Sequence, residues 1–128
     1  MYHLWYTHNV SRAGAGRPIL SVAFYATTAD TEPVREWLLE LTRDDRTTVG
    51  RDIKTAQYGW PLGMPLIRKL GPGLWEVRSR LADGIARVLF TVDGHTMVLL
   101  HGFVKKSRKT PAADLKTARR RLADLQRE

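Results

Sequence analysis

Three arginines on two adjacent predicted strands are the side chains of this sequence best suited to bind phosphate. Arg78 and Arg80 alternate along one strand, and Arg87 lies in the next apolar run. A two-residue Asp-Gly turn between the runs would place Arg80 directly opposite Arg87. Like charges facing each other across a sheet are destabilising. The cluster therefore indicates an anionic ligand, and a solvated face neutralised by Glu76 and other acids is the alternative.

A second concentration of positive charge follows the last predicted strand. The segment KKSRKT, residues 105–110, carries four positive charges in six positions. Residues 105–128 contain nine basic and three acidic residues, so they carry +6 of the net charge of +8. A basic sheet face beside a basic loop suits a nucleic-acid backbone better than a small anion. The candidate RNA-contacting residues in this part of the chain are Lys105, Lys106, Arg108, Lys109, Arg119 and Arg120.

Composition excludes several other chemistries. The chain has no cysteine, which excludes disulfides, thiolate catalysis and the common structural zinc sites. It has no phosphate-binding loop of the GxxxxGK[ST] type, no HExxH and no carboxylates spaced as in a two-metal nuclease. We therefore expect neither a metal nor a cofactor. No apolar run reaches the roughly 20 residues of a membrane span, and the N-terminus lacks a signal-peptide core. The expected location is the cytoplasm, with no membrane partner.

The apolar patterning predicts an α+β domain with the order β-α-α-β-β-β-α. Residues 1–18 are expected to be an N-terminal extension or flexible tail that ends in a basic linker, and residues 19–128 the domain. We predict strands at Ile19–Ala26, Leu74–Leu81, Ile85–Asp93 and His95–Val104. Two helices follow the first strand, one capped by Asp30 or Thr31 and one that starts at Asp44 or Asp45, and a loop at 61–65 comes after them. A last helix is capped by Thr110-Pro111. The expected architecture is a twisted antiparallel sheet with the helices on one face.

Two-residue Asp-Gly turns also predict which side chains share a face of the sheet. The core face carries Trp75, Val77, Ser79, Ala86, Val88, Phe90, Val92, Met97, Leu99, His101 and Phe103. The other face carries Glu76, the three arginines and a few apolar residues. His101 is therefore expected to be a structural core residue. Arg87 has no predicted acidic neighbour, so its removal is expected to cost little stability.

The residues from Gly63 onward resemble a known family. The run GMPLIRKLGPGLWEVRSRLADGIARVLFTVDG, followed by VLLHGFVKKSRKTPAADLKTARRRLADL, resembles the phage-derived branch of the RelE/HigB toxin superfamily. EPVREWLLEL at 32–41 resembles the first helix of the same family. The resemblance covers about residues 19–126 and is most specific in GLWEVR, ARVLF and LLHGFVKKSRKTP. It implies a microbial RNase-like fold, cleavage of mRNA on the ribosome without a metal, and a small helix-turn-helix antitoxin as partner.

The resemblance also implies roles for the basic residues. Cleavage by the 2′-hydroxyl of RNA needs a base, charge stabilisation and an acid. Arg87, in the ARVLF strand, matches a phosphate-clamping position, and Arg78 and Arg80 match basic positions on the preceding strand. A guanidinium keeps its proton, so it clamps rather than abstracts. Lys105 and Lys106 are candidate catalytic residues, because like charge can lower the pKa of a lysine. His101 is the rival base, and no tyrosine follows the last strand, where some relatives use one.

The sequence is also compatible with two other functions. The first is a nucleic-acid-binding module that pairs with an antitoxin but does not cleave RNA. The second is a DNA-binding regulator, which would need a helix-turn-helix with an exposed recognition helix. The helices predicted at 32–60 instead have core-like apolar stripes.

Overall fold

The computed structural model describes residues 1–5, 18–106 and 109–127. Its strands are β1 (Tyr2–Leu4), β2 (Ser21–Tyr25), β3 (Ile67–Gly71), β4 (Leu74–Leu81), β5 (Gly84–Asp93) and β6 (Thr96–Lys105). Its helices are α1 (Pro33–Glu40), α2 (Arg43–Gly59) and α3 (Ala112–Gln126). The predicted α+β class is confirmed, with two strands more than the predicted four.

All six strands form one sheet in the order β1-β2-β6-β5-β4-β3. Neighbouring strands are antiparallel except β2 and β6, which run parallel. The prediction of a purely antiparallel sheet is therefore wrong at this pair. After β2 the chain leaves the sheet for the two helices and returns through the β3–β6 meander, so β6 lies beside β2.

Strand β3 is absent from the predicted order, although its turn has a clear sequence signal. Pro72 and Gly73 separate β3 from β4, and Gly73 has a φ of 66°. A type II turn places proline at its second position and a left-handed residue, usually glycine, at its third. The Pro-Gly turn between IRKL and LWEV therefore predicts a hairpin. This strand brings a further arginine, Arg68, beside Glu76 of β4.

The first five residues pair with the sheet, although they precede the predicted domain boundary at residue 19. Strand β1 pairs with β2 in register, Tyr2 opposite Tyr25. The backbone NH of Trp5 donates to the carbonyl of Val22 at 2.7 Å, and the Trp5 ring lies 4.8 Å from that of Phe24. The predicted linker lies almost wholly outside the described residues.

One face of the sheet packs against α1 and α2. Helix α2 is capped by Thr42, whose hydroxyl accepts from the Asp45 NH at 3.2 Å. The helices bury Val34, Leu38, Val49, Ile53 and Ala56 against Val22, Phe24, Ile67, Val77, Ala86, Val88, Phe90, Met97 and Leu99 of the sheet. Gly102 of β6 accommodates the Trp37 ring, because a Cβ at this position would lie 2.4 Å from it. This face is the predicted core face, apart from the end of β6.

The opposite face carries a second core under α3. Ala118 and Leu122 of the helix pack with Ala23, Tyr25, Leu74, Leu89, Val98, Leu100 and Phe103. The expectation that the helices share one face is therefore wrong for α3. Burial, together with a hydrogen bond to the Asp124 carboxylate at 3.1 Å, raises the pKa of the Tyr25 hydroxyl. The polar face predicted from the sequence is thus partly covered.

Candidate functional site

Arg78 lies directly opposite Arg87 in the β4–β5 pair, and Arg80 lies opposite Ile85. The predicted pairing of Arg80 with Arg87 is therefore wrong by two residues. Leu81 pairs with Gly84, so the turn consists of Ala82 and Asp83 rather than Asp83 and Gly84. A shift of two residues keeps every side chain on its predicted face and changes only its neighbours.

A register shift in β6 moves the side chains beyond it to the other face of the sheet and also changes their cross-strand neighbours. Phe90 pairs with Leu99, whereas Leu89 pairs with His101, so Leu100 is an extra residue in β6. Such a bulge reverses the orientation of the residues beyond it. His101 and Phe103 therefore lie on the α3 face instead of the predicted core face.

Arg87 and Glu76 are both completely buried, with 0% of each residue exposed. Burial lowers the pKa of the Arg87 guanidinium. The positive charges of Arg78 and Arg68 lower this pKa further, whereas the negative charge of Glu76 raises it. The expectation that Arg87 lies on a polar face without an acidic neighbour is therefore wrong. In this conformation Arg87 cannot touch RNA, and its opposite charge stabilises the buried carboxylate.

The described ends of the connection between β6 and α3 lie near these two buried residues. Lys105 pairs with Ile85 at one end of the connection. At the other end, the Thr110 hydroxyl donates to Glu76 Oε1 at 2.9 Å. Thr110, the predicted helix cap, therefore ties the connection to the sheet instead, and the helix begins after Pro111. Its described ends lie on either side of Arg87.

The half-buried Arg78 and the exposed Arg80 line a cleft at the free part of strand β4. The last hydrogen bond between β4 and the segment before β3 runs from the Arg78 NH to the Leu66 carbonyl, at 2.8 Å. Beyond it, the outer edge of β4 has no partner strand among the described residues. The space there is a cleft of about 300 Å³, here called the edge cleft, lined by Asp52, Pro65, Leu66, Arg78, Arg80 and Ile85. Its lining residues are two arginines, one aspartate and three apolar residues.

Several basic side chains on or next to the neighbouring strands are exposed. Arg68, Arg80, Lys105 and Lys106 are exposed, and Lys105 is the cross-strand neighbour of Ile85 in the cleft wall. Lys109 is also exposed, and Arg108 lies outside the described residues. Of the candidates from the sequence, Arg78 and Arg80 line the edge cleft, and Lys105 pairs with a residue of its wall. Asp52 and Arg68 were missed, because Asp52 lies on a helix with a core-like stripe and β3 was not predicted.

The two remaining candidates, Arg119 and Arg120, lie on the outside of α3. Both are exposed. Arg119 donates from Nη2 to the Leu70 carbonyl at 3.4 Å and so lies over the end of β3. Lys116 and Arg120 flank an apolar depression on the same helix, with Ala112 and Leu115. The structure does not include these arginines in the edge cleft.

His101 links β6 to α3 rather than facing the cleft. Its Nε2 lies 2.6 Å from Asp114 Oδ1, and its Nδ1 lies 3.5 Å from Arg121 Nη1. Arginine can only donate, so Nδ1 accepts and Nε2 carries the proton that it shares with Asp114. Arg121 also donates to the Leu100 carbonyl at 2.7 Å. Since both ring nitrogens are engaged, His101 has no lone pair available for an RNA proton.

The described part of the chain lacks two features. No three His, Asp or Glu side chains of these residues converge as metal ligands would. No helix described here is long and apolar enough to cross a membrane.

A model of a known protein family matches the chain. The family model described as phage derived protein Gp49-like (DUF891) matches residues 36–123. This range contains α2, the whole β3–β6 meander and most of α3, and therefore every described residue of the edge cleft. No curated protein matches the chain.

Proposed function

This chain belongs to the Gp49-like family of phage-derived proteins, and on that premise we propose that it is the toxin of a type II toxin–antitoxin system, an endoribonuclease that cleaves mRNA on the ribosome. The family is related to the RelE-like toxins. The proposed partner is a small helix-turn-helix antitoxin.

The observation that carries this proposal is the pair of arginines in the edge cleft. Arg78 and Arg80 point the same way from alternate positions of β4 and line a cleft large enough for a small ligand. Guanidinium groups bind phosphate oxygens in bidentate fashion and stabilise the charge that develops on them during transfer. Because Arg87 is buried, the phosphate-clamping role predicted for it passes to these two arginines.

Exposed lysines extend the positive surface beyond the cleft. Lys105 and Lys106 lie at the start of the β6–α3 connection, next to Ile85. Phosphate contacts of this kind contribute affinity that is independent of sequence and falls steeply with salt. They would hold the RNA strand on either side of the phosphate that the arginines clamp. Arg119 and Arg120 extend the positive surface along α3.

The test is cleavage of a defined mRNA on purified ribosomes by the purified protein. We expect cuts within the ribosome-bound part of the message, with a 2′,3′-cyclic phosphate on the upstream fragment. The variant Arg78→Ala/Arg80→Ala is expected to bind ribosomes and to cut at least a hundredfold more slowly, from the typical loss of about 3–4 kcal/mol for one transition-state donor. Arg43→Ala/Arg127→Ala removes two exposed charges away from the cleft and serves as the matched control.

The alternative is a module that binds RNA and an antitoxin without cleaving. The depth of burial of Arg87 is the observation in its favour, since the arginine that best matches the toxin motif is inaccessible in this conformation. Intact message on protein-loaded ribosomes, with salt-dependent RNA binding retained, would support this alternative.

A further inference from the structure

Resting on the proposed function, we propose that Asp52 is the catalytic base of the edge cleft, the group that takes the proton from the attacking 2′-hydroxyl of the RNA. The sequence patterning does not indicate a role for this residue. Asp52 is the one carboxylate among the described residues that line the cleft.

The helix beneath Asp52 holds it in a fixed position. Its neighbour Ile53 is buried in the first core with 2% exposure, and α2 packs against β4 through that core. The Asp52 side chain is half-buried at the cleft wall. A residue on a rigid helix presents its functional group more precisely than one on a loop.

The Asp52 carboxylate also remains available to accept a proton. None of the described Lys, Arg or His side chains forms an ion pair with it within 4.0 Å. Arg78 and Arg80 line the same cleft, so a phosphate held by them would lie near the carboxylate without competing for it. The other candidate bases are less suited, because both nitrogens of His101 are engaged and a lysine must first lose its own proton.

The proposed step balances as an internal phosphoryl transfer. The 2′-oxygen attacks the adjacent phosphorus and gives its proton to a carboxylate oxygen of Asp52. The O2′–P bond forms and the P–O5′ bond breaks, while Arg78 and Arg80 bind the phosphate oxygens. The departing O5′ takes a proton from the ammonium group of Lys105, which solvent later restores. The products are a 2′,3′-cyclic phosphate and a 5′-hydroxyl, with no oxidant, reductant or added nucleophile.

The experiment separates binding from catalysis with Asp52→Asn. Binding of guanosine 3′-monophosphate and cytidine 3′-monophosphate is measured by calorimetry, and single-turnover mRNA cleavage is measured on ribosomes. We expect Asp52→Asn to bind the mononucleotides as tightly as the wild type or more tightly, because a negative charge near the phosphate is lost. Cleavage should fall by a factor of about 10²–10⁴, the usual contribution of a general base. Asp44→Asn, an exposed acid at the start of the same helix, should cleave like the wild type.

Each other result has a distinct meaning. Near-normal cleavage by Asp52→Asn overturns the role of Asp52 and leaves the proposed function intact. Loss of mononucleotide binding overturns the base assignment in favour of a binding role. A melting temperature lowered by many degrees, together with equal cleavage by Asp52→Asn and Asp52→Glu, overturns it in favour of a structural role. Asp52→Glu, which keeps a carboxylate, should cleave faster than Asp52→Asn even if both variants are less stable. A wild type that binds ribosomes but cuts no RNA refutes the proposed function, and the base role fails with it.

Discussion

Arg78 and Arg87 face each other across β4 and β5, yet Arg78 lines an open cleft while Arg87 is wholly buried. The difference arises from what covers each side chain. Arg78 lies beside the segment before β3, where β4 has no described partner strand on its outer side. Arg87 lies on the inner strand β5, between Ile85, which pairs with Lys105, and Leu89, which pairs with Glu76. Two arginines at equivalent positions of one hairpin therefore have different roles, one at the surface and one in the interior.

The interior role predicts that Arg87→Ala is strongly destabilising. The substitution removes a positive charge that offsets the buried Glu76 carboxylate, and leaving a buried charge uncompensated typically costs about 3–5 kcal/mol. Equilibrium urea denaturation measures the effect. Arg87→Met with Glu76→Gln is the matched variant, and it should recover most of the loss because neither charge remains. Wild-type stability for Arg87→Ala would show that the pair contributes nothing.

The faces of the meander could be predicted from the sequence, but its exact neighbours could not. Period-2 patterning correctly places Val77, Val88 and Phe90 on the core face. The turns begin one residue away from the expected dipeptides, which moves Arg78 rather than Arg80 opposite Arg87. Nothing in the local pattern signals the extra residue at Leu100, because the strand is apolar on both sides of it. The burial of Glu76 depends on where α3 packs, which is a property of the tertiary structure.

The edge strand predicts a structural role for the N-terminus. Deletion of residues 1–5 removes the backbone pairing with β2, the Trp5–Phe24 contact and the 2.7 Å hydrogen bond between His3 and Glu32. We expect the melting temperature to fall by roughly 5–10 °C, since 1 kcal/mol corresponds to several degrees in a domain of this size. Trp5→Ala alone should give a smaller fall. An unchanged melting temperature for the deletion would mean that β1 adds nothing to stability.

We expect the His101–Asp114 contact to stabilise the packing of α3 on the sheet. His101→Ala should destabilise the protein by about 1–3 kcal/mol, the usual range for a hydrogen bond to a charged group. Hydrogen exchange should show reduced protection of the α3 amides first. Asp114→Asn should give a similar loss, and the two effects should not add, because they remove the same contact. Cleavage per folded molecule should stay normal; its loss at unchanged stability would instead make His101 catalytic.

We expect deprotonation of Tyr25 to lower the stability of the protein in alkaline solution. Its pKa is raised in the folded state, so the folded protein holds the hydroxyl proton more tightly than the unfolded chain does. The resulting stabilisation is fully present below the ordinary tyrosine pKa of about 10 and is lost as the pH rises through the higher folded value. Tyr25→Phe should show a smaller decline in stability above pH 10 than the wild type, measured by denaturation at a series of pH values. Parallel curves would show that Tyr25 does not contribute.

The proposed function depends on the edge cleft. Salt-dependent RNA binding does not test the cleft, because any basic surface binds RNA. The decisive measurement is single-turnover cleavage of a defined mRNA on ribosomes by the wild type, by Arg78→Ala/Arg80→Ala and by the control Arg43→Ala/Arg127→Ala, with a thermal melt of each. We predict cleavage by the wild type and the control, and at least a hundredfold slower cleavage by the cleft variant at similar melting temperature. Equal cleavage by all three proteins, or none by the wild type, would contradict the account.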